Sequence, residues 1–359
     1  MSQGMKKLLK NPLAIACIVV IVFFTLIAIL GYAITPDSSP YANEQHLELA
    51  IKKPGFKIKM LKIHDKYSGK EQKTCAIKRF FSNMLFGTPI TTTNIPIYNY
   101  RIDENQNLIY ETFTGDTPNE GEIKTLKKGT KYEIVEKKYY LGTDRYGRDL
   151  LSQLMIGTRV SLSVGFIAIV IALAIGITLG ALAGYYGGVL DNIIMWLINV
   201  IWSMPTILLV IAITFALGKG FWQVFVAVGL TMWVDIARMV RGQVMGLKEK
   251  EFVLAGKALG FSDARLIVKH ILPNVVSAVT VIIASNFATA ILQEAGLSFL
   301  GIGVQPPMPS WGTMIKENYG YIILDAAYMA IIPGLAIMIL VLAFFLLGSA
   351  IRQAMDVKN

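Results

Sequence analysis

Six long apolar stretches constrain the fold of this chain more than any other feature. Each meets the roughly 20-residue length that an α-helix needs to cross the hydrocarbon core of a bilayer. Only 16% of the residues are charged, whereas an ordinary soluble domain carries about 25%. The pattern predicts an all-α polytopic membrane protein with six transmembrane helices. The stretches are 13–34, 160–184, 193–217, 221–240, 275–295 and 326–351.

The basic residues indicate the orientation of these spans. Lys6, Lys7 and Lys10 precede the first span, which places the N-terminus in the cytoplasm by the positive-inside rule. The connection 241–272 is also rich in Lys and Arg and falls on the same side. The first span is too long for a secretory signal, and no A-x-A-like cleavage site follows it. We therefore expect a multi-pass membrane protein with both termini cytoplasmic.

A hydrophilic block separates the first span from the others. Alternating apolar and polar residues at 56–60, 97–102 and 108–113 indicate half-buried strands, and 78–86 is typical of a short amphipathic helix. We predict three parts: 1–36 with the first span, an inserted small β-rich extracytoplasmic domain at 37–139, and a membrane core at 140–359 containing five spans and a cytoplasmic loop at 241–272.

The sequence gives little support for a metal site or a disulfide bond. Cys17 lies in the first apolar stretch and Cys75 in the hydrophilic block, so they cannot form a disulfide framework. The three histidines are scattered. The sequence has no basic face with interleaved aromatic residues, which nucleic-acid binding would need.

Pro205 and Pro333 fall within spans, where each favours a kink.

The connection before the fifth span predicts two short helices joined at a bend. Gly260 can end the first helix in a left-handed conformation. Ser262 or Asp263 can cap the second, and Pro273 can begin the next membrane helix. The alternative is a plain amphipathic surface loop. Small residues would let the bend press into a groove of another protein: Ala255, Gly256 and Ala258.

This connection resembles the EAA loop of ABC importer permeases, in which a short coupling helix docks into the ATPase subunit. Ala255 and Gly256 match the two small positions, and Gly260 matches the glycine. The usual acidic position holds Leu254 instead, and Glu251 lies three residues earlier. The resemblance implies these ATPase-coupling residues: Glu251, Ala255, Gly256, Lys257, Gly260, Ser262, Asp263, Leu272 and Pro273.

Further segments resemble the dipeptide, oligopeptide and nickel permeases, and specifically their second, C-type subunit. Residues 141–149 read LGTDRYGRD, residues 294–301 read EAGLSFLG, and residues 305–312 read QPPMPSWG. The likeness implies an outer-face signature of Gly142, Thr143, Asp144, Gly147, Arg148 and Asp149. It also implies these translocation-path candidates: Glu294, Ser298, Gln305, Pro306, Pro307 and Trp311.

The spacing of the charged residues allows specific contacts. Asp144, Arg148 and Asp149 can form local ion pairs or cap the helix that follows; a catalytic carboxylate pair is disfavoured because no nucleophile or metal ligand accompanies it. Glu294 can meet the amino terminus of a peptide, or pair with a neighbouring permease chain. Trp311 suits an interfacial anchor. In the fourth span, the i, i+3 spacing predicts an ion pair between two further residues, Asp235 and Arg238.

The energy source must lie outside the chain, since it contains no G-x-x-x-x-G-K-[ST] phosphate loop. The resemblance implies a non-catalytic permease subunit of an ATP-driven importer for di- or oligopeptides or similar solutes. It also implies that the six transmembrane helices are of the type I ABC importer kind and lie in a bacterial-type cytoplasmic (inner) membrane. It further implies a homologous second permease, two cytoplasmic ATPases that carry ATP and Mg, an extracytoplasmic solute-binding protein, and no cofactor in this chain. An ion-coupled secondary transporter and an exporter-type or structural membrane protein are the alternatives. The residues do not distinguish among peptide, nickel-complex and other substrates.

Overall fold

The computed structural model describes residues 7–64, 76–115, 121–218 and 220–355. Its helices are α1 (Pro12–Leu30), α2 (Ala76–Phe86), α3 (Leu150–Tyr186), α4 (Gly188–Trp202), α5 (Thr206–Leu217), α6 (Phe221–Lys248), α7 (Glu251–Ala258), α8 (Asp263–Arg265), α9 (Leu272–Phe299), α10 (Trp311–Asn318) and α11 (Tyr328–Met355). Its strands are β1 (Phe56–His64), β2 (Thr92–Ile102), β3 (Leu108–Thr112), β4 (Ile123–Leu126) and β5 (Tyr132–Tyr139).

The helices confirm a polytopic membrane protein. Within the described ranges, 5 helices are long and apolar enough to cross a membrane, or up to 6 if one bent pair counts as a single span. Helix α3 begins at Leu150, well before the predicted start of its span at 160, and has 37 residues. At 1.5 Å per residue it is about 55 Å long, whereas the hydrocarbon core is only about 30 Å thick. Its ends therefore extend beyond the core.

The span predicted at 193–217, with a kink at Pro205, consists of two separate helices. Helices α4 and α5 meet at an angle of 95°. Pro205 lies at the break, in an extended conformation directly before α5. Proline disfavours a helical conformation in the residue before it and cannot donate a backbone hydrogen bond, so the break is sharper than the expected kink.

Small residues let helices α3 and α6 pack closely. Gly176, Gly180 and Gly184 recur every four residues on one face of α3. A Cβ atom at Gly176 would lie 2.7 Å from the Cβ of Ile236, and one at Gly184 would lie 2.7 Å from the carbonyl oxygen of Arg241. Membrane helices associate through such small-residue faces because lipid provides no hydrophobic drive between them.

The hydrophilic block contains an antiparallel sheet of five strands in the order β4-β3-β2-β1-β5. The three strands expected from alternation are present, and the expected amphipathic helix is α2. Strands β4 and β5 were missed because their residues are mostly charged or exposed. Leu61, Ile97 and Leu108 form part of a buried cluster on the sheet. The prediction of a small β-rich insertion is confirmed.

Contacts divide the chain into two compact units. The helical unit comprises 1–25, 160–305 and 334–359, and the sheet unit comprises 26–159 and 306–333. The predicted division at 36/37 and 139/140 follows membrane topology rather than contacts and stays a prediction.

Candidate functional site

The end of helix α7 has the backbone geometry expected for a coupling bend. Gly260 has φ +77°. Its N–H donates to the carbonyl of Lys257 at 2.9 Å, and the N–H of Phe261 donates to the carbonyl of Gly256 at 3.0 Å. These two bonds form a Schellman motif, which requires a left-handed residue where Gly260 lies. The predicted role of Gly260 as the helix terminator is confirmed.

The second half of the bend differs from the prediction. Ser262 is the N-cap residue of α8, but its side chain makes no capping hydrogen bond. Helix α8 continues through a π-helical segment, Leu266–Ile271, into α9, so Asp263–Phe299 is one long helix. Although no free helix end precedes it, Pro273 occupies the predicted position in the first turn of α9. The wider π turn accommodates it, since the N–H of Leu272 bonds the carbonyl five residues back.

Gly256 faces the interior of this chain and not a partner. It is buried, and a Cβ atom there would lie 2.8 Å from Cδ2 of Leu266 and 3.2 Å from the ring of Phe261. The expectation that Gly256 presents a small surface for docking is wrong, because its missing side chain admits these two residues. The neighbouring small residues Ala255 and Ala258 are exposed.

Helix α7 exposes an apolar surface while remaining anchored in the core. Phe252, Leu254 and Leu259 have exposed fractions of 44%, 52% and 74%. Val253 is fully buried in the same hydrophobic cluster as residues of the membrane helices, including Val240 of α6. Val253 thus holds the short helix on the core while three large apolar side chains of the same segment stay exposed, as they do at sites of protein–protein or membrane contact.

Polar contacts also fasten the bend to helix α3. The hydroxyl of Tyr185 donates to Oδ1 of Asp263 at 2.6 Å. The ammonium of Lys257 lies 5.2 Å from the centre of the Tyr185 ring. Tyr185 was not predicted from the sequence, although a tyrosine pair at the end of an apolar stretch is a usual interfacial signal. A displacement of α7 would be transmitted to α3 through these contacts.

A polar cleft lies in the helical unit beside the break between α4 and α5. Its volume is about 90 Å³, and polar side chains from α5, α6 and α9 line it, namely Thr206, Thr231, Asp235, Asn286, Thr289 and Gln293. Asn286 is buried and its Nδ2 has no hydrogen-bond partner among the described residues; the same holds for Oε1 of Gln293. Buried amide atoms of this kind are usually satisfied, so they suit a polar ligand.

The cleft was not predicted from the sequence. Asn286 and Gln293 are seven residues apart and therefore fall on one face of α9. Two amides with this spacing in an apolar stretch would have been a usable signal, but the adjacent carboxylate of Glu294 drew the prediction instead.

The signature 141–149 forms a hydrogen-bonded turn in the sheet unit. Nε of Arg148 lies 2.6 Å from Oδ2 of Asp144, and its Nη2 lies 2.6 Å from Oε2 of Glu317. Oδ1 of Asp144 accepts from the backbone N–H groups of Tyr146 and Arg148 at 2.9 Å. Burial alone would lower the pKa of Arg148, but the two carboxylates outweigh it and raise that pKa. The predicted local ion pair is present.

The same turn also caps the N-terminus of α3. Oδ2 of Asp149 accepts from the N–H of Ser152 at 2.9 Å, which is the predicted cap. Oγ1 of Thr143 accepts from the N–H of Lys52 at 2.8 Å. Gly142 and Gly147 have φ of +81° and +70°. The signature therefore builds a rigid turn, and its assignment to the outer face stays a prediction.

The translocation-path candidates fall into buried positions. Glu294 is fully buried, where its carboxylate accepts from Oγ of Ser298 at 2.7 Å and from Oγ of Ser161 at 3.2 Å. Oγ of Ser298 accepts from the N–H of Val304 at 3.1 Å. Gln305 donates to the carbonyl of Gly303 at 2.8 Å. In this conformation these polar groups serve internal contacts, and a role toward substrate stays a prediction.

Trp311 is not an interfacial anchor. It is fully buried in the sheet unit, and its Nε1 donates to the carbonyl of Leu154 at 3.0 Å. Gly157 makes room for it, since a Cβ there would lie 3.0 Å from the indole. The peptide bond between Pro306 and Pro307, just before this segment, is cis.

Among the described residues, Asp235 and Arg238 do not form the predicted ion pair. Trp202 takes the place of each partner: its Nε1 donates to Asp235 at 3.2 Å, and the guanidinium of Arg238 stacks on its ring at 3.6 Å. A planar guanidinium stacks favourably on an indole face, which explains the preference.

The chain matches two families. Residues 176–357 match the family described as binding-protein-dependent transport system inner membrane component. Residues 1–54 match the N-terminal TM domain of oligopeptide transport permease C.

Characterised relatives agree with these families. The glutathione transport system permease protein GsiD of Pectobacterium atrosepticum is 42% identical over 61% of this chain and 73% of its own length. The dipeptide transport system permease protein DppC of Alkalihalophilus pseudofirmus is 40% identical over 62% of this chain and 72% of its own. An inward-facing structure of the MetNI methionine ABC transporter aligns with a TM-score of 0.46 and 19% identity, over 57% of this chain and 97% of that one.

Proposed function

Because the chain belongs to the binding-protein-dependent transport system inner membrane components, as a peptide-family ABC importer permease, we propose that α7 couples it to partner ATPases and that it passes peptide-like solutes. The observation that carries the coupling proposal is the surface of α7. Phe252, Leu254 and Leu259 are exposed while Val253 is buried in the membrane-helix core. A force applied to the exposed side would therefore reach the spans.

The surface of α7 also explains how Leu254 can occupy a usually acidic position. Its side chain is apolar and 52% exposed. Burial of such side chains contributes about 25 cal/mol per Å² of apolar area. Docking at this position would then rest on apolar contact, and Glu251 would contribute an exposed charge at the edge.

The partners follow from the same assignment. Two cytoplasmic ATPases, which bind ATP and Mg, would dock at α7. A homologous permease would complete the membrane path, and a solute-binding protein would deliver the substrate from outside. The chain itself would make and break no bonds. The basic connection at 241–272 would face the cytoplasm, and the turn at 141–149 would face outward.

The polar cleft suits a peptide-like solute. A peptide group needs one acceptor for its N–H and one donor for its C=O. Oε1 of Gln293 and Nδ2 of Asn286 offer an acceptor and a donor that have no partner among the described residues. Glutathione and dipeptides, the solutes in the relatives' names, both contain peptide groups. Substrate contact in this cleft would also satisfy two amides that are costly to bury alone.

We expect Asn286→Leu and Gln293→Leu to lower dipeptide or glutathione uptake about ten-fold, the equivalent of one hydrogen bond of about 1.4 kcal/mol. Uptake and ATP hydrolysis are measured together in the reconstituted complex. The control is Thr280→Val, also in α9, which removes a hydroxyl that donates only to its own helix, at Val276.

Two results would contradict this assignment of the cleft. Uptake by both leucine variants equal to that of Thr280→Val would remove the amides from the path. Loss of assembly with the second permease, measured by co-purification, would assign them to the interface between permeases instead.

A further inference from the structure

One arginine side chain ties helix α2 of the sheet unit to the end of the first span. Nε of Arg159 donates to the carbonyl of Ala28 at 2.8 Å, and Nη2 donates to that of Ile29 at 3.3 Å. The same guanidinium donates to the carbonyls of Leu85 at 2.7 Å and Met84 at 3.1 Å. It therefore joins the last turn of α1 to the last turn of α2.

This clamp fixes the depth of α2 relative to the membrane. Ala28 and Ile29 lie within two residues of the end of α1 at Leu30, close to the end of the candidate membrane span Pro12–Ala33. The end of α2 must lie at the same level, since a single guanidinium bonds both. Helix α2 also packs on the turn Gly31–Ala33 that directly follows α1.

Helix α2 is amphipathic, and its apolar face is uncovered. At 100° per residue, Phe80, Phe81, Met84 and Leu85 share one side of the helix. The exposed fractions of Phe80, Phe81 and Leu85 are 60%, 53% and 50%. A water-facing domain rarely leaves so many large apolar side chains together in solvent.

The opposite face is mainly polar, although Phe86, the last residue of the helix, is 72% exposed and also falls on this side. This face carries Lys78, Arg79, Ser82 and Asn83, and both cations are exposed. A basic polar face opposite an aromatic one is the composition of helices that lie in the membrane interface and attract anionic headgroups.

We propose that α2 lies in the outer interface of the bilayer and anchors the inserted sheet to the lipid surface, with Phe80, Phe81 and Leu85 among the acyl chains. Lipid is the occupant because the apolar face continues an adjacent lipid-facing surface. In the last turn of α1, Ile29 and Leu30 are 54% and 40% exposed. The proposal rests on the membrane location of α1 and not on the identity of the solute.

Site-directed spin labelling in nanodiscs of phosphatidylethanolamine and phosphatidylglycerol tests this placement. The full chain is assembled with its partners in a background that carries Cys17→Ala and Cys75→Ser. Nitroxides are attached at Phe81→Cys on the apolar face and at Ser82→Cys on the polar face of the same helix. Collision with oxygen, which dissolves in lipid, is compared with collision with a water-soluble nickel chelate.

The label at 81 is expected to collide preferentially with oxygen, at a depth of about 5–10 Å, and the label at 82 with the nickel chelate. Adding Arg159→Lys keeps the charge but cannot hold four carbonyls, so the oxygen preference at 81 should shrink. A third label, at Ile123→Cys on β4, reports an exposed apolar position of the sheet and should favour the chelate.

Two outcomes would overturn the proposal. Equal chelate access at 81 and 82 would place the helix in water. Protection of 81 from both collision partners would show that a protein surface, and not lipid, covers this face.

Discussion

Gly260→Val is expected to lower ATP-driven uptake more than ten-fold while the chain still inserts into the membrane. Gly260 has φ +77°, and a β-branched residue in this region is a severe outlier. A left-handed residue other than glycine costs about 1–2 kcal/mol, so the Schellman bend at the end of α7 would be lost or displaced. The measurement is uptake together with binding-protein-stimulated ATP hydrolysis in the purified, reconstituted complex.

Gly260→Asn is the matched control, because asparagine tolerates the left-handed conformation. Within this chain, a Cβ at position 260 would meet nothing within 4 Å. The asparagine variant should therefore retain most of the uptake if the backbone angle is what matters. Failure of both variants would mean that a partner approaches Gly260 closely. Normal uptake and hydrolysis by Gly260→Val would contradict a coupling role for the bend.

The second large effect is that of deleting the inserted sheet, and it depends on which flanking residues are deleted with it. The start of β1 is paired with the end of β5: Lys57 pairs with Lys138, and the N–H of Gly55 donates to the carbonyl of Tyr139 at 2.8 Å. Joining 57 to 138 through Asn-Gly, which favours a two-residue hairpin turn, should remove the sheet and α2 cleanly. We expect assembly and basal ATP hydrolysis to persist, with weaker stimulation by the binding protein.

Replacing 45–136 with a Gly/Ser linker should be much more damaging. That range includes backbone groups that hold the signature turn: the N–H groups of His46 and Ile51 donate to Tyr146 and Asp144 at 3.1 and 3.0 Å. The carbonyl of Lys52 accepts from Thr143 at 3.0 Å. Losing three such bonds costs about 3 kcal/mol, enough to unfold the turn.

Expression and co-purification with the second permease compare the two deletions. Equal assembly by both would show that 46–52 do not support the turn. Loss of pairing in the 57–138 variant would make the sheet an assembly element and would contradict an accessory role.

Local signals in the sequence predicted much of this structure, for reasons that particular residues make plain. The five long helices follow from apolar length, the end of α7 from Gly260, and the start of α3 from Asp149. Each depends on a few neighbouring residues, so it can be read from a short segment.

Features set by distant contacts could not be predicted in the same way. Gly256 was assigned to docking because its packing on Leu266 becomes visible only once the bend has folded. The pair of Asp235 and Arg238 fits helix spacing, but Trp202 from another helix captures both. Trp311 suited an interface by residue type, whereas Gly157 makes a buried site for it.

The most direct test of the central claim is solute accumulation in proteoliposomes that contain this permease, its second permease and the ATPases. Loaded binding protein is supplied outside, and ATP or a non-hydrolysable analogue is enclosed with the ATPases. The account predicts uptake only with hydrolysable ATP, and loss of uptake when the ATPases are omitted. Uptake that persists without ATPases and follows an imposed ion gradient would contradict it.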